Sequence, residues 1–442
     1  MTGMIGRTRV RAAGRRRATG LLVPIALLAL AFAAPAGAAK PGSLDRSFGR
    51  GGVVAIQPPL SRYDAWFARG AAAGPHGFVY VLETVSECSS GEGSCRASAI
   101  VVRYRRNGER DLAYGGSPGY ASAGQSPAQF GESGLAVDAE GRAVVVQALE
   151  RGLAITRFTA GGAPDPEFGI GGRTYLACGC YYQEPRAAIA ADGSVVVSAT
   201  RFDVTGEFVY GPSTREAGTH LARLTPGGAL DASFGSSGEL TLSYLIDPGP
   251  WALRKNRSVL IFDSACCPRA EYLSRVPSDG GEVNRDFALA ARLRGIARSP
   301  VSIAVRPNGS VLLIGNAGST GQIVALRANG ALAKGFGRKG VARFPRRTIH
   351  GGAVGVDGRA FIVGASGSGP LVFRIKGNGR IDKRFINGLR GISNESGRQE
   401  ALYSGLRPMV FDAGGDTACR TYCQPHPLLY RFSPGPKPKQ RR

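Results

Sequence analysis

Side chains able to do chemistry are sparse in this 442-residue chain, and eight cysteines are the sharpest group among them. They fall in four close pairs: Cys88 and Cys95, Cys178 and Cys180, Cys266 and Cys267, and Cys419 and Cys423. Thiols so spaced either close disulfides or ligate a soft metal, and Cys-x-x-x-Cys at Cys419 has a spacing that zinc accepts. An even count, dispersed along the chain, favours disulfides in an oxidising compartment over one shared ion. Cys88 and Cys95 flank SSGEGS, and Cys419 and Cys423 enclose a second short stretch, so both pairs are expected to close locally. Vicinal and one-apart bridges are strained, so Cys178, Cys180, Cys266 and Cys267 are candidates for pairing between the two sets.

Other chemistry is thin. His76, His220, His350 and His426 form no His-Glu-x-x-His and no cluster at metal spacing. A lone histidine in a strand or loop reads as a satisfied polar residue. GASGSG at Gly364 has a loose outline of the Gly-x-Ser-x-Gly elbow, but it lies between β-rich runs where the elbow needs a following helix. No nucleic-acid-binding module is present. The sequence therefore offers no catalytic residue, no metal site and no cofactor signature.

Positioning must come from a repeat. GSLDRSFGRGG at Gly42 returns as GALDASFGSSG at Gly228. Aligned on Gly-x-x-Asp-x-x-Phe-Gly, the phrase occurs seven times. Its acidic position is Asp45, Asp111, Asp165, Asp231, Asn284, Ala333 and Asp382; its aromatic position is Phe48, Tyr114, Phe168, Phe234, Phe287, Phe336 and Phe385. Successive aromatics stand 49 to 66 residues apart, which is room for four strands and their turns. Between copies, β-rich runs meet at Asp-Gly or Asn-Gly, as in ADGSVVV at Ala191 and RPNGSVLLIG at Arg306. These residues tolerate the positive φ that a tight hairpin requires. Val144-Val145-Val146 and Val311-Leu312-Leu313-Ile314 are apolar at consecutive positions, so both faces of the strand must be covered.

Radially packed sheets meet that demand, because each sheet is covered by both neighbours. The expected fold is all-β: a seven-bladed β-propeller of four-stranded blades over residues 39–436. The phrase around Leu44, Asp45, Ser47, Phe48 and Gly49 resembles the delta-60 repeat of bacterial secreted proteins, which belongs with propeller-forming repeats of NHL type. The resemblance spans the mature chain and weakens at Asn284 and Ala333, and where Gly is missing after Phe287 and Phe385. It implies a fold and a surface address and carries no activity. By analogy with NHL-type propellers, the strand after each motif is the outer strand of the blade just finished. Gly52–Ile56 then has no blade before it, and is expected to pair with Leu428–Phe432 to complete the last one. Asp at the motif suits a turn, since its carboxylate accepts nearby backbone amides, and the ring can plug the gap between blades.

The ends set the address. Six arginines in RTRVRAAGRRR precede the apolar run Leu21–Ala34 and Ala36-Gly37-Ala38, the layout of a cleavable signal over residues 1–38. The run is shorter than the ~20 residues of a membrane span. A secreted or cell-surface bacterial protein is expected, with no integral membrane segment after cleavage. The formal charge of +24 becomes +18 without the six signal arginines, and +14 without the four basic residues of the tail 437–442. That excess suits anionic surface polymers, although it is scattered among acids.

The short turns and the motifs should share one face of the disc. The long connections, Ser86 to Ser98, Ala199 to His220 and Gly414 to His426, should share the other, with all eight cysteines in its loops. Binding residues concentrate on such loops. Tyr181, Tyr182, Phe208 and Tyr210 are its candidate contact aromatics, for a protein or anionic polymer bound by a monomeric platform, with packing against a neighbouring blade the equal alternative. A secreted lyase or hydrolase is the alternative; it requires acids, His or Tyr converging at the channel mouth.

Overall fold

The computed structural model describes residues 40–58, 65–88, 95–127, 132–208, 211–245, 248–263, 272–287, 300–388, 399–404, 407–412 and 427–434. The expected signal and tail lie outside them. Seven antiparallel sheets form a ring, a seven-bladed β-propeller. Blade 1 runs Ala65–Ala73, Val79–Cys88, Cys95–Tyr104 and Ala121–Pro127; blade 2 runs Ser133–Val137, Ala143–Leu149, Gly152–Phe158 and Arg173–Ala177. Blade 3 is Cys180–Ile189, Val195–Phe208, Gly211–Leu224 and Glu239–Leu242. Blade 4 has three described strands, Pro248–Leu253, Val259–Asp263 and Tyr272–Val276. Blade 5 is Pro300–Val305, Val311–Ala317, Thr320–Leu326 and Val341–Phe344; blade 6 is Arg347–Val354, Ala360–Ser366, Gly369–Ile375 and Ile381–Gly388. Blade 7 takes Gln399–Ser404, Arg407–Asp412 and Leu428–Arg431, and its fourth strand is Val53–Ala55 from the start of the fold. The inner strand of each blade packs beside that of the next, and blade 7 returns to blade 1. Among the described residues no helix is long and apolar enough to cross a membrane.

The closure follows the sequence expectation: Val53 stands opposite Tyr430, Val54 opposite Leu429 and Ala55 opposite Leu428. Arg431 N–H donates to Gly52 O at 3.0 Å, and Asp45 N–H donates to Arg431 O at 2.8 Å.

The core is divided in a way the repeat dictates. Each of the seven seams between blades holds its own apolar cluster. Consecutive residues of a second strand feed two clusters at once: Val144 and Val146 face blade 3, while Val145 faces blade 1. Each motif aromatic is buried in the seam with the following blade, from Tyr114 between blades 1 and 2 to Phe48 between blades 7 and 1. The glycine after the ring reaches across: the N–H of Gly115, Gly169 and Gly235 donates to Gly161, Gly227 and Asp279 of the next blade, each at 2.8 Å. At Gly169 φ is +56° and a Cβ would stand 2.2 Å from Arg173 O, so no other residue fits.

An arginine on the third strand joins this arrangement in five blades. Arg103, Arg157, Arg223, Arg374 and Arg431 pair with Asp111, Asp165, Asp231, Asp382 and Asp45 at 2.6 to 3.0 Å. Each guanidinium lies 4.5 to 5.0 Å from the motif ring. Its Nη1 donates to a carbonyl of the next blade: Ala160, Pro226, Ser278, Pro434 and Arg106. The other carboxylate oxygen accepts the amide two residues on, as from Ser233 at 3.0 Å and Glu167 at 3.1 Å. The motif aspartate is thus both a turn cap and half of an inter-blade latch. Asp231→Asn keeps the acceptor for Ser233 and removes the charge facing Arg223. It is expected to cost about 1–3 kcal/mol, read as a lowered denaturant midpoint at unchanged slope.

Candidate binding face and channel

Inner strands run from the cysteine-bearing face towards the motif face, so every second-to-third hairpin opens on the former. In blade 2 these strands are seven residues long; in blade 3 they are 14. The inner strand of blade 3 pairs as far as Asp203, opposite Cys180. Beyond it, Val204 to Phe208 pair only with the stretch from Gly211 to Thr214. At ~3.3 Å per residue this two-stranded ribbon extends about 15 Å further. The expected irregular connection between Ala199 and His220 is therefore mostly paired strand, with register shifts at Arg201/Phe202 and Val204/Gly206; on its outgoing side Thr200, Phe202 and Val204 alternate as an extended strand requires. The same correction holds in blade 1, where strands continue through Cys88 and restart at Cys95, with these two residues opposite each other.

The cysteines also differ from expectation. Cys178 is bridged to Cys180, with Cα atoms 5.1 Å apart, at the crossover from blade 2 to blade 3. Blade 3 begins at Cys180 itself, which is buried, so pairing to Cys266 or Cys267 is not needed to satisfy either thiol. Cys88, Cys95 and Cys180 stand in strands, not loops. Cys266, Cys267, Cys419 and Cys423 lie outside the described residues, as do Tyr210 and the side chains of Phe208, Cys88 and Cys95.

Tyr182 is not an exposed contact aromatic. It faces blade 2 from the inner strand, buried, with its ring 5.2 Å from that of His220. Burial pushes its hydroxyl up to about 12, so it stays neutral. Tyr181, next along, is half-buried. His220 sits 3.2 Å from a Glu239 carboxylate oxygen and 3.3 Å from Thr241 Oγ1. The His220 ring beside it holds the Glu239 carboxyl below its ordinary range. His220 is buried at the edge of a cleft, with Nδ1 beside Thr241 and Nε2 in ion-pair contact with Glu239 but without hydrogen-bond geometry.

The residues that line the channel are what sequence reasoning missed. Inner strands of five blades change register, at mid-length around Arg69, Glu184 and His350 and near the start around Gly249 and Val301. Such bulges leave a residue unpaired and re-aim its side chain. Pro185 and Pro250, inside strands, were the available signal. Six blades line a channel cavity of about 610 Å³. Its charged groups are Arg69, Glu132, Glu184 and Arg186, with Trp251, Ser133 and Ser302 beside them. They also tie blades together. Glu132 accepts the Glu184 N–H, Glu184 pairs with Arg186 at 3.0 Å, and Arg186 donates to Gly249 O at 3.3 Å. No histidine, cysteine or tyrosine is among the described lining residues. Among the described residues no group of three or more His, Cys, Asp or Glu is arranged to hold a metal ion. The cavity thus offers two acids, two guanidiniums and an indole, which can hold a polar ligand.

Fold and channel together define a β-propeller with a polar central cavity and one elaborated face. No family model and no curated protein matches the chain. Among solved structures, it is similar to a calcium-binding protein, regucalcin, of Agrobacterium tumefaciens: 16% identity, 69% of this chain and 91% of that one, TM-score 0.37. It is also similar to a protein of unknown function from Dyadobacter fermentans, at 12% identity over 86% and 99% of the two chains, TM-score 0.40. A PQQ-bound aldose sugar dehydrogenase of Streptomyces coelicolor gives 12% identity over 86% and 97%, TM-score 0.36.

Proposed function

We propose that the protein is a secreted or cell-surface platform of delta-60 type that binds a protein or anionic surface polymer on its cysteine-bearing face. The observation that carries this is the blade 3 ribbon, which outgrows its own blade on that face. The bridged crossover at Cys178 and Cys180 lies beside its root and restrains it, which lowers the ordering cost of binding. The net charge of +14 on the body favours an anionic partner. The enzyme alternative draws no support from the channel, where Glu184 is tied to Arg186 and Glu132 to a backbone amide.

Residues 204–214 can be replaced by Asn-Gly, because Asp203 and Arg215 stand opposite each other. In capture from the envelope fraction, this shortened protein is expected to lose at least tenfold in partner recovery. Ile170→Asp is the control, at a fully exposed position on the motif face. Undiminished capture by the shortened protein, with capture lost in the control, would overturn the reading.

A further inference from the structure

Blade 5 lacks both members of the latch. Ala325 stands where the five latched blades have the third-strand arginine, and Ala333 where they have the aspartate. The backbone is otherwise the same: Ala333 N–H donates to Ala325 O at 2.8 Å, as Asp231 N–H does to Arg223 O at 2.8 Å. The ring also keeps its cation. Arg306, from the turn after the inner strand, lies 5.4 Å from the Phe336 ring. It is 9% exposed, and its Nε and Nη2 find no acceptor among the described protein atoms. In five blades a guanidinium over this ring meets a carboxylate, whose second oxygen takes the amide two residues on. In blade 5 the third-strand arginine is absent, but an arginine from another element, Arg306, stands by the ring, and an alanine methyl replaces the carboxylate that would take the Gly335 N–H.

We propose that blade 5 is a binding site for a small carboxylate anion, held by Arg306 over Phe336 in the place that Asp fills in the other latches. The ligand class is read from the molecule itself: five copies display a carboxylate there, on the same kind of donors. Access comes from the motif face, where the five latch aspartate side chains keep 5 to 17% of their surface exposed. Burial disfavours the charged form of Arg306, and an anion beside it relieves that cost.

The probe is acetate, titrated to 100 mM against chloride at matched ionic strength and against neutral acetamide, with the melting temperature as readout. Acetate alone is expected to give a saturable rise of about 2 °C. Ala333→Asp supplies the carboxylate covalently; it is expected to melt higher than the parent and to ignore acetate. Arg306→Gln should also ignore it. Equal shifts from chloride, no shift in the parent, or an acetate response retained by Ala333→Asp would each overturn the proposal.

Discussion

A chain that begins at residue 58 is expected to melt at least 10 °C below the parent, or to lose its cooperative transition. The deletion removes the outer strand of blade 7 and three buried side chains, Phe48, Val54 and Ile56. Each contributes about 1.5–3 kcal/mol. It also strips Asp45 from Arg431, which is 2% exposed at its side chain. A buried ion left without its partner costs about 3–5 kcal/mol. The sum is comparable to the ~5–15 kcal/mol by which a domain is folded at all. A second protein separates closure from loss of sequence. Ser43 O accepts the Ser433 N–H at 2.9 Å, so residues 40–57 can instead follow Pro434 directly. That rearranged chain is expected to recover the parent melt, and a failure to recover would refute closure as the cause.

Stability is also expected to fall as pH rises from 5 to 9, by several degrees, and Glu83→Gln should abolish the fall. Glu83 is fully buried on the second strand of blade 1, where the neighbouring Val81 and Val85 pack in the seam with blade 7. One oxygen accepts Trp66 Nε1 at 2.8 Å; the other has no partner among the described atoms. Burial pushes its carboxyl up to about 8, against the partial relief of Trp66 and the Arg110 charge. The folded value lies above the unfolded one, near 4.5. Its stabilising contribution is therefore complete below pH 4.5 and lost as pH rises through 8. The loss is about 1.4 kcal/mol per unit across that window, roughly 4–5 kcal/mol in all. Asp231 and Asp382 act in the opposite sense: hydrogen bonds from Ser233 and Arg374 hold their carboxyls below the ordinary range, so their contribution fades only in strong acid. Optimum stability should lie near pH 5. Glu83→Gln should match the parent there and exceed it at pH 9; parallel pH curves for the two proteins would exclude Glu83 as the cause.

The repeat made the ring legible in the sequence, because Gly and Phe recur wherever the chain must turn into the next seam. Gly52–Ile56 could be assigned to the last blade for the same reason: a motif with no blade before it has to finish one elsewhere. The arginine of the latch stayed hidden although it lies eight residues before the aspartate in four copies. A surface arginine and a latch arginine look alike until the third strand is folded, and in blade 7 the partner is 386 residues away. The paired loss at Ala325 and Ala333 was visible in the sequence, but only the Arg–Asp contact gives it meaning. Tyr182 could be read either as an exposed aromatic or as packing against a neighbouring blade while Cys180 was taken for a loop residue; the structure places it in the seam. Once the inner strand starts at Cys180, alternation turns Tyr182 inward. The channel residues escaped because a bulge breaks the alternation that sequence reading relies on.

Hydrogen–deuterium exchange on the captured complex tests the central claim most directly. Binding on the cysteine-bearing face predicts new protection in residues 195–224, in the hairpin around 88–95 and in the inner strands near Glu184 and Arg186, with the motif turns unchanged. Protection confined to the turns of the motif face, around Leu112, Ile170 and Val356, would contradict it.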